Sequence, residues 1–154
     1  MTYPNVHDGR RVSALRSIAG RSWASPTTTV GLALGALGWA LGGCAPRRGN
    51  NALEFCGNRL IAPFTAAITI GHVICYASRE PDQRIQDHER QHTYQAEALG
   101  PLYLPLHIAL QLLAFGYSFF DGSRSYRSVN DRVHSRANLL ETGPMASPPR
   151  PWWR

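Results

Sequence analysis

The chain is 154 residues long, enough for one small domain and too short to hold a second catalytic one. Hydrophobic residues make up 44% and charged residues only 17%, below the roughly one quarter usual in soluble proteins. The net charge of +6 comes from sixteen basic and ten acidic residues, and every basic residue is an arginine, scattered from Arg10 to Arg154 without aromatic interleaving. That pattern argues against a nucleic-acid-binding module and suits an anionic membrane surface.

Residues 1–26 are polar and arginine-rich, and predict a flexible leader. From Thr27 to Ala45 the chain carries no charge over nineteen residues, close to the roughly twenty needed to cross a bilayer core, which predicts a membrane span or a secretory signal region. Its glycines, Gly31, Gly35, Gly38 and Gly42, are spaced to let another helix approach closely within lipid. Leu41-Gly42-Gly43-Cys44 also resembles the lipobox of bacterial lipoproteins, in which the cysteine is lipidated. The other cysteines, Cys56 and Cys75, are too far apart for a paired zinc or redox motif and read as small buried side chains.

Residues 46–142 are expected to form the folded domain. A turn at Gly49-Asn50-Asn51 precedes a short strand from Ala52 to Cys56, and Phe64 to Ala77 reads as one β-branched apolar strand. Arg84 to Leu99 is a run of helix formers ended by Gly100-Pro101. Leu102 to Phe120 is again uncharged over nineteen residues and predicts a hydrophobic helix, spanning or buried; Val129 to Leu140 predicts a short C-terminal helix. The proline-rich tail 143–154 is expected to be disordered.

Within the Arg84–Leu99 helix, His88-Glu89-Arg90-Gln91-His92 places two imidazoles four residues apart, one turn above the other, so that both reach a single ion. Glu89 is offset from that pair: it stands beside the ion and can accept a proton from the attacking water as general base. This is the His-Glu-x-x-His pattern of zinc metallopeptidases. Catalytic zinc usually takes three protein ligands, so a third must come from elsewhere. Ala98 and Gln95 occupy the positions where the metzincin extension needs His and Gly, which removes that branch, and Glu97 faces away from His88. The remaining donors are His134, Glu141 and His107; His134 leads, with Asn138 one helical turn on to orient a histidine. Gln95, expected on the exposed side, binds substrate or braces the following loop, and His72 either lines the cleft or bonds a neighbour.

Residues 66–105 resemble a group of small, uncharacterised bacterial membrane-associated proteins that look like minimal zinc metallopeptidases. The similarity lies in Thr69-Ile70-Gly71-His72-Val73-Ile74, in the His88–His92 block with Gln95, and in Leu99-Gly100-Pro101-Leu102-Tyr103-Leu104-Pro105. By that resemblance the late acidic ligand position falls on His134 and its following Asp on Asn138. It implies an α+β, zincin-like fold of short strands, metal helix and C-terminal helix, with one or two membrane-associated helices in a bacterial inner membrane, a Zn2+ cofactor, membrane lipid as neighbour and a peptide as substrate. Two other readings stay open: a non-catalytic zinc-stabilised membrane protein, and a metal-free scaffold.

Overall fold

The computed structural model describes residues 14–49 and 51–141; residues 1–13 of the expected leader and the expected tail lie outside them. The elements are α1 (Ala14–Trp23), α2 (Ser25–Ala40), β1 (Arg47–Gly49), β2 (Ala52–Phe55), β3 (Ala67–Ile70), β4 (Val73–Tyr76), α3 (Gln83–Leu99), a 3-10 turn (Gly100–Leu102), α4 (Tyr103–Tyr117) and α5 (Val129–Val133). The architecture is α+β, built on a mixed four-stranded sheet in the order β1-β2-β4-β3, with β2 and β4 parallel and the other pairs antiparallel.

All four residues of β4 are buried, because both faces of this central strand are covered. Alternation divides them: Val73 and Cys75 join Phe55, Ile61 and Leu34 on the α2 side, while Ile74 and Tyr76 join Cys56, Ala67 and Ile85 on the α3 side. The expected single strand over 64–77 is in fact a hairpin. Gly71, with φ of 65°, and His72 make its two-residue turn, a conformation that a side chain at the first position would strain. The tip docks on α2, where the His72 amide donates to Thr28 Oγ1 at 3.1 Å.

Part of the expected leader is helical, since α1 and the first two residues of α2 fall within it. The uncharged stretch 27–45 supplies most of α2 and the turn that follows it, and three of the glycines expected to receive another helix receive the sheet side of the same chain. Gly31 packs over Ile70 and Val73, Gly35 over the Phe55 ring and Gly38 over Asn58, whereas Gly42 ends the helix region at φ 97° and has no such neighbour. Thr27 and Thr28 return their hydroxyl protons to Ala24 O at 2.8 and 2.9 Å, which satisfies them inside an apolar helix. A Cβ at Gly31 would lie 2.5 Å from the Ile70 carbonyl oxygen and 2.8 Å from Val73 Cβ. Gly31→Ala is therefore expected to lower unfolding free energy by about 1–3 kcal/mol, as read by denaturant titration in detergent; an unchanged midpoint contradicts the packing.

Among the described residues, the helical stretch Gln83–Tyr117 is the one long and apolar enough, by length and composition alone, to cross a membrane. It is not a straight rod. Gly100 sits at φ 57° against the Trp23 indole, and α4 turns back on α3. His107 and His92, about 22 Å apart along an unbroken helix, have ring centroids 5.4 Å apart. The outward faces of α2 and α4 are apolar and exposed, with Val30, Leu37 and Trp39 on one and Leu112 and Leu113 on the other, followed by Phe119 and Phe120.

Candidate metal centre

α3 is capped by Asp82, whose carboxylate accepts from the Arg84 amide at 2.7 Å, and it buries a polar face against the sheet and the C-terminal segment: Glu89, His92, Thr93, Gln95 and Glu97 beside Ala96. Burying such groups costs free energy unless each finds a partner, and here Glu89, His92, Thr93, Gln95 and Glu97 each have one.

Three donors converge at its centre. His88 Nε2 lies 3.2 Å from His92 Nε2 and 3.2 Å from Glu141 Oε2, and His92 Nε2 lies 3.3 Å from Glu141 Oε1. Nitrogen and oxygen donors held tetrahedrally by zinc at about 2.0–2.1 Å stand about 3.3 Å from one another, and each of these contacts is of that length, the two to Glu141 being made by different oxygens of its carboxylate. Glu141 Oε2 is buried without a well-aligned hydrogen bond despite the nearby imidazole, a donor atom of the kind a cation satisfies. His88, His92 and Glu141 can therefore hold a metal ion.

The tautomer of His92 follows from its neighbour. Gln95 Nε2 donates to Leu140 O at 2.8 Å, which turns its Oε1 toward His92 Nδ1, also at 2.8 Å. Nδ1 donates in that bond, which leaves Nε2 as the nitrogen that faces the other two donors. Burial opposes charging of His92, but Glu141 and Glu89 outweigh it and raise its pKa to about 9. Burial likewise pushes Glu141 up, yet His88 and His92 hold it well below the usual carboxylate range. The two shifts describe one tightly coupled pair whose charges attract.

Gln95, expected to be exposed, is fully buried and braces two donors at once: His92 directly, and Glu141 through the backbone of the preceding Leu140. Gln95→Leu is expected to weaken metal binding by about 10- to 100-fold, measured by competition with a chromophoric chelator. Affinity within twofold of the parent protein would show that the brace is dispensable.

Glu89 is buried, and its Oε2 accepts from Thr69 Oγ1 of β3 at 2.6 Å, which fixes the carboxylate beside His92. Tyr103 is fully buried under the same carboxylates and points its hydroxyl at Thr69 O, 3.4 Å away on the free edge of β3. Neither Thr69 nor Tyr103 stood out in the sequence as a partner of the site, although both lie in the stretches flanking the histidine block.

The third donor of the close trio is Glu141. His134 stands behind it, with Nε2 3.7 Å from Glu141 Oε1 and Nδ1 2.8 Å from Asn130 O. The expected helix Val129–Leu140 ends at Val133, so His134 and Asn138 are not stacked on one helix face. Asn138 instead shapes the turn that delivers Glu141, donating to Val133 O at 2.8 Å and accepting from the Leu140 amide at 3.2 Å. His107 meets His92 edge-on and pairs with Gln111 at 2.9 Å. His72 belongs to another cluster, with Nδ1 3.0 Å from Asn51 O and Nε2 3.6 Å from Glu97.

No family model matches the chain, and neither a curated protein nor a solved structure is significantly similar to it.

Proposed function

We propose that the chain is a membrane-associated zinc metallopeptidase of zincin-like character, with His88, His92 and Glu141 as ligands and Glu89 as general base. The observation that carries this reading is the convergence of two imidazole nitrogens, 3.2 Å apart, on one carboxylate whose two oxygens lie 3.2 and 3.3 Å from them. Imidazole and carboxylate donors with a position left open suit zinc. A zinc ion there supplies a Lewis acid that polarises a peptide carbonyl and makes water acidic near neutral pH. Thr69 occupies Glu89 Oε2, so Oε1 is the oxygen that takes the proton from the attacking water and returns it to the leaving amine. The exposed apolar faces of α2 and α4, on a chain with a net charge of +6, suit a lipid neighbour such as a bacterial inner membrane.

A second reading rests on His134: its ring stands 3.7 Å from Glu141, and as a fourth ligand it would close the site and make the metal structural. The protein purified in detergent is expected to hold about one zinc by mass spectrometry, to cleave a peptide library and to lose cleavage on chelation until zinc is restored. His88→Ala is expected to abolish both properties. Stoichiometric zinc surviving that substitution removes α3 from the site. Zinc without cleavage favours the structural reading, and a folded, metal-free protein favours a scaffold.

A further inference from the structure

The three cysteines are free thiols that the metal centre leaves unused, and the fold sorts them by face. Cys75 lies on the α2 side of the sheet with Phe55 and Val73, whereas Cys44 and Cys56 pack on the α3 side with Ala67, Ile74 and Tyr76. The Cys44 amide donates to Cys56 O at 2.8 Å. With the covalent bonds on either side of it, that hydrogen bond keeps the two Cα atoms within about 7 Å, and at ordinary angles about 5–6 Å apart, inside the range a disulfide spans. Cys44 Sγ leans toward its partner: a Cβ at Gly57, the residue after Cys56, would stand 3.8 Å from that sulfur. Arg79, itself exposed, donates from Nη1 to Cys44 Sγ at 3.6 Å and from Nη2 to Gly42 O at 3.0 Å.

We propose that Cys44 and Cys56 are a redox pair, a modification site at which exchange with a small disulfide such as oxidised glutathione closes one intramolecular bond and leaves Cys75 a thiol. The inference goes beyond the metal centre and does not depend on it. Exposure sets the order of events: Cys44 is half-buried beside an exposed cation that meets an anionic reagent, while Cys56 is 4% exposed and burial pushes its thiol up. The Cys44 thiolate attacks the reagent, one glutathione thiolate leaves, and a mixed disulfide forms on Cys44. The Cys56 thiolate then attacks Cys44 Sγ, the second glutathione leaves, and a bond between the two cysteines replaces the mixed one. Two electrons pass from the protein dithiol to the reagent, and the two thiol protons end on the two glutathiones. The closed bond pins the turn after α2 to the residue that follows β2.

The test is peptide mapping by mass spectrometry: the full chain, reduced and purified in detergent, is incubated with oxidised glutathione, unfolded in iodoacetamide and digested with trypsin. Cleavage after arginine places Cys44, Cys56 and Cys75 on separate peptides, 22–47, 49–59 and 60–79. The expected product links 22–47 to 49–59, with 60–79 alkylated. Cys56→Ala is expected to keep glutathione on Cys44 at least about 10-fold longer than the parent chain does, because the thiol that resolves the mixed disulfide is gone. Glutathione persisting on Cys44 in the parent chain, a link to 60–79, or all three cysteines alkylated after the incubation overturns the pair, as does an unchanged lifetime of the mixed disulfide in Cys56→Ala. A diacylglyceryl mass on Cys44 overturns it as well and assigns that sulfur to lipidation. The digest of the parent chain decides without the variant.

Discussion

Glu141→Gln is expected to weaken zinc binding by more than about 100-fold, beyond the 10- to 100-fold typical of losing a ligand's supporting partner. The substitution keeps the side chain's shape and removes its charge. Glu141 supplies the one anionic donor of the trio, and its two oxygens face His88 and His92 at 3.2 and 3.3 Å. An amide offers a weaker donor and leaves two imidazoles around a dication without compensation. The matching substitution His134→Gln, at 3.7 Å from the carboxylate, is expected to change affinity by less than about 10-fold, because it removes a neighbour of a ligand. Competition with a chromophoric chelator reads both. The reverse order, with His134→Gln the more damaging, would transfer the third ligand to His134.

Glu89→Gln is expected to reduce peptide hydrolysis by about 100- to 10,000-fold while zinc content stays at the parent level, since general-base catalysis contributes on that scale. The prediction separates proton transfer from metal holding. Glu89 is buried, and its Oε2 is engaged by Thr69 at 2.6 Å, so the amide can keep the Thr69 bond and lose only the basic oxygen. A loss of zinc in this variant would place Glu89 among the ligands or the folding determinants. Unchanged turnover would remove it from the chemistry.

The helix that carries His88 and His92 was legible in the sequence because its signals are local. A spacing of four sets two rings on one face, and Gly100-Pro101 ends the helix where the left-handed φ of 57° is needed. Glu141 was less legible than His88 and His92 because forty-nine residues separate it from His92, and it sits in a turn beyond a five-residue helix, where no periodicity reports direction. The side on which Gln95 lies was misread for a related reason. Helical spacing places it near His92, but its burial depends on Leu140 arriving from the far end of the chain.

The stretch 27–45 shows where composition is ambiguous. An uncharged helix with glycines on one side satisfies lipid, another helix or a sheet equally, and here β2, the β3–β4 hairpin and Asn58 take the glycine face while the outward residues stay exposed. The hairpin of β3 and β4 was hidden by the even apolar run around it, although a glycine at the first position of a two-residue turn is a recognisable signal. Helix α1 went unread because its arginines and short length masked what Ala24 and Trp23 anchor against the rest of the fold.

Zinc-edge X-ray absorption on the loaded protein tests the metal centre most directly. A low-coordinate shell of nitrogen and oxygen at about 2.0–2.1 Å is expected, with outer-shell scattering from two imidazoles and none from sulfur. A third imidazole in that signal, or a sulfur at about 2.3 Å, would contradict the assignment of His88, His92 and Glu141.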